Sequence, residues 1–222
     1  MNKFEKYFFH EQKKLLVHKW HHYLEIYDNH FNRFINKTPN ILEVGVSLGG
    51  SLEMWDYYFD GKCNIYGIDI NKTCLDIPQK LNKPNIQIEI GNQADRGFWK
   101  NYLKDKPKFD IVIEDGGHSM IQQIVTFEEL YDHVDENGVY LCEDLHTSYW
   151  SKYGGGYKNS KTFIEYSKDF IDGINSQHFE EKINDIDKLK HIRATTKSIH
   201  YYDSVIVLEK GILPKSIHSR MK

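Results

Sequence analysis

Cysteine is scarce in this sequence, and its three cysteines are too few for a disulfide framework. Cys142 lies in an apolar run and is expected to be a buried, free thiol. No stretch approaches the roughly 18–20 apolar residues that span a membrane. Met1–Gln12 is charged and aromatic and lacks the apolar segment of a signal peptide. We therefore expect a cytoplasmic protein with reduced thiols and no membrane span.

An excess of charge of one sign is also lacking. The formal net charge is −3, and no run of like charge is long enough to form a tail. Proteins that bind nucleic acid usually carry a basic stripe, and none is visible, so no nucleic-acid partner is expected. The 222 residues, 40% hydrophobic and 27% charged, are typical of one globular domain without repeats. The bias toward Lys, Asn and Ile favours a bacterial source.

Two kinds of hydrophobic periodicity follow one another along the chain. From about residue 4 to residue 35, apolar residues recur every three or four positions, which predicts a helix that ends before Pro39. Short apolar runs then alternate with helical patterns, which predicts a parallel sheet covered on both faces. The predicted strands are Ile41–Val46, Asn64–Ile70, Ile86–Ile90, Phe109–Ile113, Val139–Cys142, His191–His200 and Asp203–Glu209.

The last two predicted strands are joined by a short turn, so they must pair antiparallel. The predicted fold class is therefore α/β and Rossmann-like, with a mostly parallel seven-stranded sheet and a C-terminal antiparallel strand pair. This arrangement is typical of class I methyltransferases and less typical of nicotinamide dehydrogenases. Residues 1–40 are predicted to form an N-terminal helical cap of the same domain as residues 41–222. Tyr149–Asn159 contains three consecutive glycines and is predicted to be a mobile loop.

A glycine-rich turn between the first predicted strand and the next helix indicates a nucleotide site. Glycine lets the backbone approach a ligand closely, and a helix N-terminus favours an anionic group. Ser47 occupies the second glycine position of the dinucleotide motif G-x-G-x-x-G, which leaves less room for a pyrophosphate. We therefore predict a site for S-adenosylmethionine (SAM), with the methionine carboxylate at the turn and the ammonium held by an acid. The predicted contacts are Glu43, Gly45, Ser47, Gly49 and Ser51.

Polar residues after the second and third predicted strands extend this site. Asp69 lies 24 residues after Gly45, where an acid bonds both ribose hydroxyls in such folds. The alternative for Asp69 is a helix N-cap. Asn92, Gln93 and Asp95 are candidates for the adenine edge, although ordinary turn chemistry also explains Asn92 and Asp95.

Acid pairs end the fourth and fifth predicted strands. Asp115 follows Glu114, and Asp144 follows Glu143, and the carboxyl ends of parallel strands open into one crevice. Carboxylates brought together in this way repel one another unless a cation lies among them or one is protonated. Oxygen ligands suit Mg²⁺ or another divalent cation, and no thiolate set exists for zinc. The predicted metal ligands are Asp115, Glu143 and Asp144, with helix caps and ion pairs as the alternative, and Asp115 is also expected to contact SAM.

His118 follows Asp115 after two glycines and is the candidate catalytic base. A neutral imidazole with a pKa near about 6.5 accepts a proton around neutrality. Asp115 is the second candidate catalytic residue. Tyr23, His146 and Tyr149 are weaker candidates for contact with the substrate.

Several motifs carry a resemblance to a known family, namely Lys19–Tyr27, Ile41–Ile70, Gly91–Trp99, Asp110–Trp150, Gly154–Gly156 and Ser198–Ser204. Together they resemble the metal-dependent class I sugar O-methyltransferases of the mycinamicin, macrocin and rhamnosyl type. The likeness covers most of the chain and implies Mg²⁺ ligands at Asp115, Glu143 and Asp144, and a base at His118. It also implies a SAM-dependent enzyme that methylates a sugar hydroxyl. The turn before His118 departs from relatives, which often have a serine and a second histidine there.

The acceptor is not readable from these motifs. The chain is short and lacks the large N-terminal region of the macrolide enzyme, so we expect a nucleotide-linked sugar or a surface-glycan or capsule precursor. A catechol-like phenol is the alternative acceptor. An NAD-dependent oxidoreductase and a non-catalytic SAM-binding subunit are the alternative protein classes. A homo-oligomer is left open.

Overall fold

The computed structural model describes residues 1–180, 186–214 and 216–221, so residue 222, the end of the predicted domain, lies outside the described residues. Seven strands form one sheet. They are β1 (Asn40–Val44), β2 (Asn64–Asp69), β3 (Ile86–Ile90), β4 (Phe109–Glu114), β5 (Val134–Cys142), β6 (Thr196–Tyr202) and β7 (Val205–Lys210).

The strand order is β3-β2-β1-β4-β5-β7-β6. Strands β1 to β5 pair in parallel, whereas β7 is antiparallel to both β5 and β6. The predicted fold class is confirmed. The chain moves outward from β1 to β3 and then returns to place β4 on the other side of β1. This reversal opens a crevice beyond the carboxyl ends of β1 and β4, where α/β sheets bind their ligands.

Helices cover both faces of the sheet because successive strand residues point to opposite sides. Ile41 packs in one core with α1 to α4, and Leu42 packs in the other with α5 to α8. No helix in the described ranges is long and apolar enough to cross a lipid bilayer. The helices are α1 (Lys3–His10), α2 (Tyr23–Phe31), α3 (Gly50–Tyr58), α4 (Ile77–Leu81), α5 (Arg96–Tyr102), α6 (Met120–Leu130), α7 (Phe163–Asn175) and α8 (Ile186–Thr195).

Single turns of 3₁₀ helix lie at several helix ends and in loops. One of them, Lys72–Asp76, leads directly into α4. The others are Asn32–Phe34, Leu103–Asp105, Tyr131–His133, Leu145–Tyr149, Ser151–Tyr153 and Ser176–His178.

The prediction of one helix from residue 4 to residue 35 is wrong, because α1 and α2 are separate. Between them, the amides of Lys14 and Leu15 donate to the Glu53 carboxylate of α3, at 3.0 and 3.3 Å, rather than to helical carbonyls. The connecting segment passes over the glycine turn so closely that a Cβ on Gly50 would lie 2.2 Å from the Leu16 carbonyl oxygen. A tertiary contact therefore overrides the helical periodicity.

Two other predictions need correction. The strand predicted from His191 is wrong over its first five residues, because α8 continues to Thr195 and β6 begins at Thr196. The predicted mobile loop, Tyr149–Asn159, contains the 3₁₀ turn Ser151–Tyr153. Backbone bonds there, including Gly156 N–H to the Ser148 carbonyl at 2.8 Å, fold the glycines back onto the preceding turn.

Gly45, directly after β1, should not tolerate a side chain. Its φ is +97°, and a Cβ would lie 2.0 Å from the Asp115 carbonyl oxygen. We expect Gly45→Ala to lower the melting temperature by roughly 5–10 °C, since strained backbone costs about 1–3 kcal/mol before the clash is added. Gly156→Ala is the control, because its nearest neighbour would be the Asn159 Cβ at 3.5 Å. Equal melting temperatures for the two variants would contradict this reading.

Candidate active site

Two cavities meet at the carboxyl ends of β1 and β4. One of about 240 Å³ lies between the glycine turn, the segment before α2 and the acids that follow β4 and β5. The other, of about 190 Å³, reaches toward the ends of β2 and β3. The residues common to both walls are Gly45, Ser47, Asp115 and Gly116. Of the predicted SAM contacts at the turn, Gly45 and Ser47 therefore lie where the two cavities join, and Gly49 and Ser51 line the first cavity alone.

Asp69 lines the second cavity and holds the glycine turn in place. Its Oδ2 accepts hydrogen bonds from the amides of Val46 and Ser47 at 2.9 and 2.8 Å, and its Oδ1 accepts one from Asn71 at 2.8 Å. Ser47 has a positive φ of 51°, so this carboxylate supports an unusual backbone conformation. The 3₁₀ turn that follows is capped by Asn71 rather than Asp69. The ribose role of Asp69 stays a prediction.

The residues predicted for adenine divide into three structural roles. Asn92 lines the second cavity and accepts from the Ala94 amide at 3.0 Å. Gln93 also lines it, donates to Glu114 at 2.7 Å and accepts from the Gly117 amide at 2.7 Å. Asp95 caps α5 and is not on the cavity wall. Their adenine roles stay predictions, and Gln93 also ties the ends of β3 and β4 together.

A buried lysine, which the sequence reasoning missed, lies inside the acid cluster. The Lys19 ammonium is 2.5 Å from Asp115 Oδ2, 2.9 Å from Glu143 Oε2 and 3.9 Å from Glu43 Oε1. Its side chain is 3% exposed. The repulsion between converging carboxylates indicated a cation at this place, and the chain itself supplies one. The only signal in the sequence was the position of Lys19 at the start of a motif shared with the resembling family.

Burial governs the protonation of this cluster. Burial disfavours a charged Lys19, but the surrounding carboxylates outweigh it and raise the pKa of the ammonium well above its usual range. Burial raises the pKa of Glu43 to about 7, against the attraction of Lys19. Burial and repulsion from Asp115 raise the pKa of Glu143 as well. Glu43 is fully buried and lines neither cavity, but its Oε2 accepts from the hydroxyl of Ser51, which lines the first cavity, at 2.8 Å. Its contact with SAM stays a prediction.

His118, Asp115 and Asp144 come together on the cavity wall. His118 Nε2 is 3.6 Å from Asp144 Oδ2 and 4.0 Å from Asp115 Oδ1. One donor atom from each of the three residues lies within 4.8 Å of the others. His118 and Asp144 both have positive φ, 57° and 56°, which is uncommon outside glycine and is often retained at functional sites. The two carboxylates are oxygen ligands of the kind that a divalent cation takes, and the His118 imidazole lies beside them.

Glu143 stands apart from that donor set. Its Oε1 accepts from the Tyr27 hydroxyl at 2.6 Å, and its Oε2 accepts from Lys19. Of the three predicted metal ligands, Asp115 and Asp144 therefore present a free oxygen beside His118, whereas both oxygens of Glu143 are engaged. The assignment of Glu143 as a metal ligand stays a prediction.

The candidate substrate residues are divided between two places. Tyr23 lines the first cavity, and its hydroxyl donates to Asp144 Oδ1 at 2.8 Å. His146 and Tyr149 line a neighbouring groove of about 370 Å³. In that groove His146 Nδ1 bonds the Ser204 hydroxyl at 2.6 Å, and its ring packs against Trp150. Tyr23 is thus a partner of a candidate metal ligand, and its contact with substrate stays a prediction.

The fold and the crevice define the class of protein. A mostly parallel seven-stranded sheet with an antiparallel C-terminal pair is the fold of class I methyltransferases. No model of a known protein family matches the chain. The chain is similar to MycE, a methyltransferase of the mycinamycin biosynthetic pathway, in a structure with Mg and SAH. The TM-score is 0.79 at 29% identity, over 92% of this chain and 55% of that chain.

Curated relatives of the chain are sugar O-methyltransferases. Mycinamicin VI 2''-O-methyltransferase of Micromonospora griseorubida is 33% identical over 202 residues, which is 86% of this chain and 48% of the relative. The 8-demethyl-8-(2-methoxy-alpha-L-rhamnosyl)-tetracenomycin-C 3'-O-methyltransferase of Streptomyces olivaceus is 32% identical over 204 residues, 86% of this chain and 50% of the relative. The chain spans about half the length of the curated relatives it matches. The family resemblance drawn from the sequence is confirmed.

Lys19 should be required for stability when no metal is supplied. Lys19→Met leaves the buried Glu143 and the half-buried Asp115 without their cation, and removing one partner of a buried pair such as Lys19–Glu143 costs about 3–5 kcal/mol. We expect urea denaturation in the presence of a chelator to show this loss. The double variant Lys19→Met/Glu143→Gln should recover much of it, because one charge is removed with its partner. Lys152→Met, at an exposed position, is the control. Unchanged stability of Lys19→Met would refute the role.

Proposed function

We propose that this chain is a SAM-dependent, divalent-metal-assisted O-methyltransferase that acts on a sugar hydroxyl. The observation that carries the proposal is the convergence of Asp115, His118 and Asp144 on one cavity wall beside the glycine turn. The sugar O-methyltransferases among its relatives, and the Mg and SAH of the matched structure, support it. The chain spans about half the length of those relatives, so their activity is not transferred to it directly. The methyltransferase activity of this chain is therefore stated as a proposal.

The SAM site of the proposal follows the two joined cavities. When bound, SAM supplies an electrophilic methyl group on a sulfonium. The turn from Gly45 to Ser51 would hold the methionine end, since it lines the first cavity at the N-terminus of α3. The adenosine end would lie in the second cavity, beside Asp69, Asn92 and Gln93.

The chemistry of the proposal needs a base and a way to acidify an alcohol. A divalent cation such as Mg²⁺, when bound, lowers the pKa of a coordinated hydroxyl. Asp115 Oδ1 and Asp144 Oδ2 are the oxygens that would hold it, because the other oxygen of each accepts from Lys19 or Tyr23. His118 Nε2 takes the hydroxyl proton as the new oxygen–carbon bond forms and the sulfur–carbon bond of SAM breaks.

The proposed acceptor is a nucleotide-linked sugar or a surface-glycan precursor, which would give the chain a place in bacterial polysaccharide biosynthesis. A lysine on the loop that contacts His118 supports a phosphate-bearing acceptor. Tyr153 lies 6.5 Å from His118 between ring centroids, and the Lys152 ammonium lies over the Tyr153 ring at 4.9 Å. Lys152 and Lys158 are both exposed on this loop. The same loop carries the three glycines that would let it adjust around a ligand.

The proposed compartment is the cytoplasm. Its support is that Cys63, Cys74 and Cys142 are all buried and free, which suits an environment that keeps thiols reduced. Association of the chain with copies of itself is left to experiment.

His118 and Asp115 should both be required for turnover, and His118 should not be required for SAM binding. We expect His118→Ala to bind SAM in calorimetric titrations within a few-fold of the unaltered protein, and Asp115→Asn is measured beside it. Their turnover should fall at least about 100-fold, the size of a lost general base or a lost metal ligand. His191→Ala is the control, because His191 lies on α8 and pairs with Asp132, far from the cavity wall. Unchanged turnover in both site variants would show that His118 and Asp115 do not have the proposed catalytic roles.

The acceptor class can be measured directly. Incubation of the protein with SAM, Mg²⁺ and a panel of nucleotide sugars should add one methyl group to at least one of them, as detected by mass spectrometry. A chelator should abolish the gain, because the alcohol would no longer be acidified. Simple glycosides and catechols belong in the same panel. Methylation of catechols alone would overturn the sugar assignment.

A further inference from the structure

Three donors from the N-terminal part of the chain each reach one of the predicted metal ligands. The Lys19 ammonium donates to Asp115 Oδ2 at 2.5 Å, the Tyr23 hydroxyl to Asp144 Oδ1 at 2.8 Å, and the Tyr27 hydroxyl to Glu143 Oε1 at 2.6 Å. The three donors are four residues apart in sequence, and Tyr23 and Tyr27 lie on one face of α2. One continuous stretch of chain, made of the end of the connection before α2 and the first turns of α2, thus serves all three acids.

The donors leave a defined set of atoms facing the cavity. With Oδ2 of Asp115 and Oδ1 of Asp144 engaged, the remaining oxygens of these two residues are those nearest His118 Nε2, at 4.0 and 3.6 Å. A carboxylate held by one oxygen cannot rotate freely, so its second oxygen keeps its direction. Groups that orient metal ligands in this way commonly change metal affinity 10- to 100-fold when removed.

The two tyrosine donors, Tyr23 and Tyr27, are shielded from water and held in place by their neighbours. Tyr23 and Tyr27 are 1% and 0% exposed, so water does not replace their hydroxyls easily. Tyr27 packs edge-on against Trp55 with ring centroids 4.9 Å apart. At the other end of α2, His30 Nδ1 bonds Glu209 on β7 at 2.8 Å and His30 Nε2 bonds the Tyr202 hydroxyl at 2.9 Å. The helix is thereby attached to the sheet at a fixed position.

We propose that Tyr23 and Tyr27 are positioning residues that, together with Lys19, form an outer shell of the acid cluster and set its affinity for a divalent cation. They do not contact the substrate or the reacting atoms in this role. Tyr23 acts on Asp144 directly. Tyr27 acts on Asp115 indirectly, because the Glu143 carboxylate that it holds accepts from Lys19, which also donates to Asp115. This inference rests on the proposed function, because it takes Asp115 and Asp144 to be the ligands of that cation.

Binding of Mn²⁺ alone, without SAM or acceptor, tests the inference. Free Mn²⁺ is measured by electron paramagnetic resonance during titration of the full chain. We expect Tyr23→Phe and Tyr27→Phe each to weaken Mn²⁺ binding about 10-fold, with the fold intact by circular dichroism. Tyr58→Phe is the matched control. Tyr58 is 0% exposed and its hydroxyl donates to Asp28 of α2 at 2.8 Å, away from the acid cluster. Its Mn²⁺ affinity should not change.

Several results would overturn the inference. Unaltered affinity in a folded Tyr23→Phe or Tyr27→Phe protein would show that the hydroxyls do not orient the ligands. An equal loss in Tyr58→Phe would show general loosening of the fold. The two variants are independent arms, so if one does not fold, the other decides. If the unaltered protein binds no Mn²⁺, or binds it as well with Asp115→Asn, the metal-assisted function fails together with this inference.

Discussion

Repulsion between carboxylates is the constraint on which the rest of the site depends. Three parallel strands end side by side, and acids lie at or just beyond their carboxyl ends in a region where burial raises the pKa of Glu43 to about 7. Such an arrangement needs a cation, and Lys19 places one between Asp115 and Glu143. Asp115 Oδ1 and Asp144 Oδ2 still lie beside His118, so the cluster has an inner part neutralised by lysine and an outer part open to a ligand.

The position of Lys19 between the acids depends on the path of the chain between α1 and α2. A continuous helix through residues 4–35 would not cross the glycine turn, whereas the extended connection between α1 and α2 does so in contact with Gly50. Glu53 accepts the amides of that connection, which replaces the helical hydrogen bonds that are given up. The same path brings Tyr23 and Tyr27 to Asp144 and Glu143. The N-terminal segment thus forms part of the site as well as a cover for the sheet.

Much of the fold and part of the candidate site could be predicted from the sequence. Continuous apolar runs marked the strands because both faces of a parallel sheet are buried, and acids after two such runs had to meet since those strand ends share one edge. The limits of β6 and the path before α2 could not be predicted in this way, because residues such as His191 and Leu15 fit either structure locally. Gln93 was predicted from the sequence to contact adenine. Its hydrogen bonds to Glu114 and Gly117 show that it also joins the ends of β3 and β4.

The sequence by itself determined the sheet, the glycine turn and the approach of Asp115, His118, Glu143 and Asp144 to one crevice. Those features depend on local pattern and on the rule that parallel strands end together. Only the tertiary structure decided which oxygen of each acid is free. Lys19 is 96 residues from Asp115 and 124 from Glu143 along the chain. No local periodicity records such a contact, because it arises from the packing of one segment across the ends of the strands.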